Sequence, residues 1–158
     1  MGVADSLIYE ITQQTKAIMR KDSAYYRARI LEAGQTKDKL CIHKPEKILQ
    51  NSCLINGSSL LGRRTAVKQI LKTRSKLPIP VIPEKDVFML PTASTKSKDC
   101  VWLSFYHIEY YEQRDNRTYV SFYDGSGIYV NSSENTIDMQ IKKASQVITK
   151  MNRPSTFG

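Results

Sequence analysis

The chain has 158 residues, and its 41% hydrophobic and 25% charged residues exclude a disordered tail or a coiled coil. Lysine and arginine number 24 against 15 acidic residues, so the formal net charge is +9 at pH 7. A positive excess of this size favours an anionic partner, either nucleic acid or an anionic membrane.

The first forty residues predict short strands. Apolar residues on both sides of the polar stretch 12–16 indicate a strand pair, and residues 28–32 continue the sheet. A polar turn runs from Gly34 to residue 39. Residues 40–42 then predict a short buried strand, which ends at Lys44-Pro45.

A helix is predicted in the middle of the chain. Ser58 or Ser59 precedes it as an N-cap, because a hydroxyl oxygen there can accept a hydrogen bond from a free N–H of the first turn. Leu60, Val67 and Leu71 are spaced by seven and four residues. They therefore share one helical face, which we expect to be buried.

A basic stripe lies beside this apolar face. Arg64, Lys68 and Lys72 follow one another at intervals of four residues. Like charges at this spacing weaken an isolated helix by about 0.2–0.5 kcal/mol per pair. The surrounding window, residues 47–83, has no acidic residue. A sequence that accepts this repulsion indicates that the stripe binds an anionic partner. The alternative interpretation of the stripe is an ordinary solvated helix face.

Prolines shape the segment that follows the helix. Residues 77–83 carry three prolines, which remove backbone donors and fix φ, so we predict an extended connector and neither helix nor central strand. Residues 87–90 predict a short buried strand. Residues 92–98 predict a polar, basic loop.

Three strands joined by hairpins are predicted next. Alternating side chains over residues 100–111 indicate the longest strand, and residues 118–123 its return strand. A second turn at residues 124–127 leads to the strand 128–130. Consecutive hairpins of this kind form a meander.

The predicted fold class is α+β: an antiparallel sheet or meander with two helices. One is the central basic helix, over about residues 58–73. The other is a C-terminal amphipathic helix over about residues 134–151, where apolar residues recur on one face and acidic residues precede lysines. We expect a single domain over residues 1–151 and a flexible tail over residues 152–158.

Four motifs occur in the central part of the chain. Residues 51–64, NSCLINGSSLLGRR, contain a Ser-Cys pair, then Gly-Ser-Ser and Gly-Arg-Arg. Residues 76–80 are KLPIP, residues 87–92 are VFMLPT and residues 99–104 are DCVWLS. In this order and at these separations, the motifs resemble the ComK family of bacterial competence transcription factors. The resemblance covers approximately residues 40–112.

The resemblance implies a function and a partner. It implies an activator of competence genes that binds AT-rich promoter boxes in duplex DNA, largely through the minor groove, as dimers on neighbouring half-sites. We therefore expect a single ComK-like DNA-binding domain that forms a homodimer or higher homo-oligomer on DNA. No enzymatic activity, cofactor, metal or membrane association is expected. The better-known members extend further at the C-terminus than this chain.

Basic residues of the central window are the predicted DNA contacts. Arg63 and Arg64 match the family's Gly-Arg-basic motif, and narrow AT-rich minor grooves attract inserted arginine. Lys68, Lys72, Arg74 and Lys76 are predicted phosphate contacts, and Lys96 and Lys98 form a predicted secondary site. Ser58 and Ser59 are also predicted contacts; they cap the helix, contact a phosphate, or do one each. Gly57 and Gly62 are interpreted as structural, for turn entry and close helix packing.

Two other functions remain open. Aromatic side chains could stack on single-stranded bases, although the strand pattern favours packing inside the protein. These aromatic residues are Trp102, Tyr106, Tyr110, Tyr111, Tyr119, Tyr123 and Tyr129. A protein-interaction module is the third interpretation, in which a sheet edge pairs with a partner and the basic window binds an acidic protein.

Cysteine and histidine placement argues against a metal or covalent site. Only Cys41 and His43 are close in sequence, whereas zinc sites usually show paired ligands. Cys53 and Cys100 lie in apolar company, where free cysteine is usually a core residue. An odd number of widely spaced cysteines indicates a reducing compartment. Since no apolar run approaches the roughly 20 residues that span a bilayer, we expect a cytoplasmic protein.

Overall fold

The computed structural model describes residues 7–152, within which lie nine strands and three α-helices. In chain order these are β1 (Thr15–Arg20), β2 (Ala28–Glu32), β3 (Lys39–Cys41), α1 (Pro45–Ile55), α2 (Leu60–Leu71), β4 (Ile79–Ile82), β5 (Val87–Pro91), β6 (Val101–Ser104), β7 (Ile108–Arg114), β8 (Arg117–Phe122), β9 (Gly127–Val130) and α3 (Glu134–Met151). Single 3₁₀ turns follow β4 at Pro83–Lys85 and β6 at Phe105–His107. No helix in this described range is long and apolar enough to cross a membrane.

The strands form two antiparallel sheets. The larger has six strands in the order β3-β2-β1-β6-β5-β4, and the smaller is the meander β7-β8-β9. At the centre of the larger sheet, Ala17 of β1 lies opposite Leu103 of β6, and Ile18 lies opposite Trp102. The predicted α+β class and the three-strand meander are confirmed.

The six-stranded sheet is buried on both faces. Ile18 points to one face and packs in a core cluster with Ile48 of α1. Leu103 points to the other face and packs with Phe122 of β8 and Ile137 of α3. The molecule therefore has layers: α1 and the start of α2, the larger sheet, and then the smaller sheet with α3.

This double burial explains one wrong strand prediction, and an edge position explains how a second segment exceeds its prediction. Residues 100–111 are not one strand, because β6 ends at Ser104 and β7, after the turn Phe105–His107, belongs to the other sheet. Every residue of β6 is buried, so the alternation in its sequence does not mark one open face. The proline-rich segment 77–83 is also more than a connector, since Ile79–Ile82 form β4. As an edge strand, β4 tolerates the missing donor of a proline.

The N-terminal region departs from the predicted strand pair. Around residues 12–16 the chain makes a turn, in which the Thr15 N–H donates to the Thr12 carbonyl at 3.1 Å, and only β1 follows as a strand. The segment before it is held by the Ile11 N–H, which donates to the Ser52 hydroxyl of α1 at 3.0 Å. Helix α1 itself was not predicted, although its buried positions recur at the three- and four-residue spacing of a helical face.

The other two helices agree with prediction. Helix α2 lies inside the predicted range 58–73, and α3 has the predicted bounds 134–151. The hydroxyl of Ser133 caps α3 by accepting from the Thr136 N–H at 3.1 Å. Of the predicted tail, residues 153–158 lie outside the described part of the chain.

One ion pair joins the two sheets. The ammonium of Lys16, on β1, lies 2.6 Å from the Asp124 carboxylate in the turn between β8 and β9, and these side chains are only 3% and 17% exposed. Burial raises the pKa of the Asp124 carboxyl. Hydrogen bonds from Lys16, from the Ser126 hydroxyl and from the backbone N–H groups of Gly34 and Ser126 outweigh that effect, and they hold the pKa well below its usual range.

Candidate nucleic-acid interface

The start of α2 is built by the Gly-Ser-Ser segment. Gly57 adopts φ +83°, a left-handed conformation that favours glycine, in the turn between α1 and α2. The Ser59 hydroxyl then accepts from the Gly62 N–H at 2.9 Å and caps α2. A Cβ at Gly62 would lie 3.1 Å from the Ser59 hydroxyl and 3.2 Å from that of Ser58. Both glycines therefore have structural roles.

Helix α2 is fixed at both ends of its apolar face. Leu60 lies in the core beside α1, and its N–H donates to the Gln50 side chain at 2.8 Å. Val67 is fully buried in a cluster with Phe88 of β5 and Val147 of α3. Since these contacts set the rotation of the helix, they also decide which side chains face solvent.

The α2 stripe consists of Arg64, Lys68 and Lys72. Lys68 and Lys72 are exposed and Arg64 is half-buried. Lys72 ends the helix in a left-handed conformation with φ 57°. At about 1.5 Å per residue, the three charges span roughly 12 Å along the helix axis. That length is several times the spacing of phosphates along a DNA duplex, so the stripe can meet more than one phosphate.

The two arginines of the predicted motif differ in environment. The Arg64 guanidinium donates to the Glu46 carboxylate of α1 at 2.9 Å. Sequence reasoning missed this partner, because Glu46 lies immediately before the acid-free window. Arg63 is half-buried, and its Nε has no hydrogen-bond partner among residues 7–152. The Arg64 side chain is 26% exposed, and its guanidinium already holds one carboxylate.

The charges of Arg63 and Arg64 affect the thiol of Cys53. Burial raises the pKa of its thiol, and the Arg63 and Arg64 guanidinium groups lower that pKa in part. The net effect is a raised pKa, so Cys53 is a protonated core thiol near neutral pH. Within residues 7–152, no group of three His, Cys, Asp or Glu side chains is placed to hold a metal ion.

The segment after α2 is fixed by α3. Gln140, only 1% exposed, donates through Nε2 to the carbonyls of Lys76 and Pro91 at 2.9 and 2.8 Å. The Lys143 ammonium donates to the Ser75 carbonyl at 3.1 Å. Burial, and then the charge of Lys76, lower the pKa of Lys143. The structure thus adds Lys143 to the predicted cations of this segment.

Lys96 lies apart from the α2 stripe, in the loop between β5 and β6. It lines a cleft of about 290 Å³ together with Arg20, at the end of β1, and Lys44, at the start of α1. We call this the α1 cleft; its floor includes the buried Trp102. Lys98 is exposed in the same loop but does not line the cleft.

The α1 cleft and the α2 stripe are continuous. Lys44 and Glu46 line both the α1 cleft and a shallow groove that includes Arg64. Arg20 and Lys44 also line a third depression, beside the turn between β1 and β2. This depression adds Lys21 and Arg27. The predicted residues alone therefore do not form one patch. Lys96 is joined to α2 only through the unpredicted cations Arg20 and Lys44.

The meander carries a separate aromatic surface. The Arg114 guanidinium lies 4.3 Å from the Tyr119 ring centroid, and that of Arg117 lies 4.2 Å from the Tyr129 ring centroid. The two tyrosines are cross-strand partners in edge contact. We call these four residues the Arg–Tyr face. The guanidinium groups already occupy the ring faces that a base would need for stacking.

The remaining aromatic residues named above do not form one stacking platform. Trp102 is 4% exposed in the core. Tyr111 donates to the Asp138 carboxylate of α3 at 2.7 Å, and burial, followed by this hydrogen bond, raises its pKa to about 12. Tyr106, Tyr110 and Tyr123 are exposed.

Comparison with known proteins relates the chain to one family. The family model described as ComK protein matches residues 7–155. The Competence transcription factor of Bacillus subtilis (strain 168) is 31% identical over 108 residues, which are 68% of this chain and 56% of that relative. The chain thus spans about half the length of the curated relative it matches. No solved structure matches.

Proposed function

The chain belongs to the ComK protein family, and from that premise we propose that it is a transcription regulator that binds duplex DNA through the α2 stripe. The proposed process is competence or a related one, after the name of the similar Bacillus subtilis protein. A DNA-binding regulator of this kind works by binding, without a catalytic step or a cofactor, in the bacterial cytoplasm and nucleoid.

The exposed α2 stripe is the observation that carries this proposal. Leu60 and Val67 pack in the core and hold α2 in place. Lys68 and Lys72 therefore have no part in the packing of this helix. No ion pair of either lysine occurs within the described residues. Three cations at this spacing along a rigid helix suit a polyanion with regular charge, and duplex DNA is such a polymer.

We further propose that the DNA is AT-rich and that an arginine enters its minor groove. Narrow AT-rich minor grooves have an enhanced negative potential that attracts arginine. Arg64 suits this role best, because it is accessible and can exchange Glu46 for DNA. Arg63 is closer to the core and is proposed to support α2 beside the groove.

The other predicted contacts are assigned to the DNA backbone. Lys68, Lys72, Arg74 and Lys76 are proposed phosphate contacts, and Lys96 and Lys98 belong to a secondary site. The Ser59 hydroxyl accepts from Gly62 but keeps its own proton, so it can donate to a phosphate, as can Ser58. Binding as a homodimer or higher homo-oligomer on neighbouring half-sites completes the proposal.

Single-strand binding is the second candidate function, since exposed tyrosines lie on the meander. The Arg–Tyr face argues against it, because stacking would have to displace two guanidinium groups from their rings. In addition, Arg114 is paired with Glu112. A single-stranded competitor therefore tests this alternative directly.

The test is binding of the purified protein to labelled duplexes at several salt concentrations. One duplex is AT-rich, one is GC-rich, and one has inosine in place of guanine. An inosine–cytosine pair lacks the guanine amino group in the minor groove but keeps the major-groove pattern of a G·C pair. We expect tight, salt-dependent binding to the AT-rich and inosine duplexes and weaker binding to the GC-rich one.

Each other result rejects part of the proposal. Equal binding to all three duplexes removes the AT preference and leaves a general DNA binder. Weak binding to the inosine duplex moves recognition to the major groove. A single strand that competes better than duplex favours the second candidate function, and no binding near physiological salt rejects DNA as the partner.

A further inference from the structure

We propose that the α1 cleft is a phosphate-binding pocket that adjoins the α2 stripe on the same surface. Its ligand is a phosphate ester. We assign that ester to the backbone of the DNA that α2 contacts, and this assignment rests on the proposed function. A free nucleotide offers the same chemistry, and the experiment below separates the two sources.

Three cations from three distant parts of the chain meet at the cleft. Arg20 ends β1, Lys44 precedes α1, and Lys96 lies in the loop between β5 and β6. All three side chains are exposed, and none has an ion-pair partner in the described range 7–152. Unpaired like charges repel one another, so their convergence is stabilised when an anion binds between them.

The acidic residue of the cleft is already engaged. Glu46 is the one carboxylate among the lining residues, and it accepts from the Arg64 guanidinium at 2.9 Å. Its charge is directed toward α2, which leaves the cations of the cleft without a counter-ion. When Arg64 leaves Glu46 for DNA, the freed carboxylate opposes a phosphate in the cleft, so the two sites are linked through this residue.

The start of α1 adds to the positive field. Lys44 is the N-cap residue of this eleven-residue helix, and no side chain caps the helix there. The partial positive charge of a helix N-terminus favours an anion nearby. This end of α1 therefore acts in the same direction as the three side chains.

The floor of the cleft is rigid, whereas its rim is not. Trp102 and Cys100 are 4% exposed, and Trp102 belongs to the central strand pair β1–β6. The rim cations are long side chains that can turn toward a ligand. Since Trp102 is the one tryptophan of the chain and lines this cleft, its fluorescence is a local reporter of the cleft.

The experiment combines affinity with Trp102 fluorescence. The full chain is titrated separately with inorganic phosphate, with adenosine monophosphate and with a short AT-rich duplex. The pocket variant is Lys44→Ala with Lys96→Ala, and the matched control is Lys37→Ala with Lys85→Ala, which removes the same charge from exposed positions elsewhere. Thermal unfolding checks that all variants fold.

We expect the duplex to change Trp102 emission. The pocket variant should weaken duplex binding by about 10-fold or more at 0.1 M salt and lower the salt slope by about 1.8, since each lost phosphate contact removes about 0.9. The control variant should change duplex affinity and the salt slope by much less. Arg20→Ala should lower the slope by about a further 0.9.

The outcomes separate the two proposals. Normal duplex binding by the pocket variant, with unchanged Trp102 emission in every titration, overturns the pocket and leaves the function of the α2 stripe intact. If the unaltered protein binds no duplex, the proposed function fails. The pocket then stands only when adenosine monophosphate or phosphate changes the emission and the pocket variant abolishes that change.

Discussion

The α2 stripe and the Arg–Tyr face are both exposed and both carry arginine, but their cations differ in what already surrounds them. On the meander, the guanidinium groups of Arg114 and Arg117 lie on tyrosine rings. Arg114 also pairs with Glu112. On α2, Arg64 pairs with Glu46, whereas Lys68 and Lys72 have no ion-pair partner in the described range.

The difference shows that a basic surface is not defined by counting charges. A cation that already contacts a ring and a carboxylate must leave both before it can bind a phosphate, whereas an unpaired lysine only loses water and counter-ions. This difference supports the proposal that α2 binds DNA and that the Arg–Tyr face has a structural role.

The largest expected effect concerns the Lys16–Asp124 ion pair, which joins the larger sheet to the meander that carries the Arg–Tyr face. Asp124→Asn leaves the Lys16 ammonium buried without its counter-charge, which should lower the free energy of unfolding by about 3 kcal/mol. Urea unfolding at pH 7 measures this. The control Glu46→Gln breaks an exposed pair, and it should cost about 0.5 kcal/mol. Equal losses in the two variants would show that the inter-sheet pair is not a major source of stability.

The same pair predicts a pH dependence. Because the pKa of Asp124 is lowered in the folded state, its stabilising effect is complete above the unfolded pKa of about 3.9. It is lost as the pH falls through the lower folded pKa. The natural protein should therefore lose more stability than Asp124→Asn between pH 5 and pH 2. Parallel stability curves would contradict this assignment.

The comparison itself is tested by removing the charges of each surface in turn. Arg64→Ala with Lys68→Ala and Lys72→Ala removes three contacts, which should lower the salt slope by about 2.7 and duplex affinity on the order of 100-fold at 0.1 M salt. Arg114→Ala with Arg117→Ala should leave affinity within about two-fold, apart from the small general effect of net charge. Filter binding or fluorescence anisotropy provides both numbers. The reverse ranking would move the interface to the meander.

A smaller effect of opposite sign is expected from Glu46→Gln. This variant frees Arg64 and removes a carboxylate from the surface, so duplex affinity should rise by about three-fold at low salt, in line with the energy of an exposed ion pair. The gain should shrink as salt increases. A loss of affinity would mean that Glu46 orients Arg64 for binding and does not compete with DNA.

The smallest effect concerns the meander alone. Arg117→Ala removes the cation above the Tyr129 ring and should lower the free energy of unfolding by about 0.5 kcal/mol without changing DNA affinity. Arg117→Lys should recover part of the loss, because an ammonium also lies favourably over a ring. Denaturant unfolding of the three proteins tests this. A change in DNA affinity would show that the two surfaces are not independent.

Local signals in the sequence were sufficient for much of the fold. The class, the meander and the bounds of α3 follow from turn residues and from the change in apolar period near residue 133. Helix α2 follows from its cap and apolar spacing. Helix α1 was missed although Ile48, Leu49 and Cys53 have helical spacing and Pro45 is a recognisable helix start. The exposed apolar residues Leu54 and Ile55 blur that pattern in the sequence.

Features that depend on tertiary contacts could not be predicted from local sequence patterns. The sequence does not reveal that β6 is covered on both faces, and so it suggests one long strand where the chain changes sheets. The same holds for the candidate site. Glu46 and Arg64 are 18 residues apart, and Arg20 meets Lys96 only through the order of the strands.

The hydrogen bonds from Gln140 have a consequence for biosynthesis. A ribosome makes α2 and Lys76 long before it makes α3, yet the Lys76 carbonyl is held by Gln140 and the Ser75 carbonyl by Lys143. Val67 likewise lacks its partner Val147 until the last helix is made. A nascent chain therefore carries the basic residues of α2 without the scaffold that arranges them until α3 has been made.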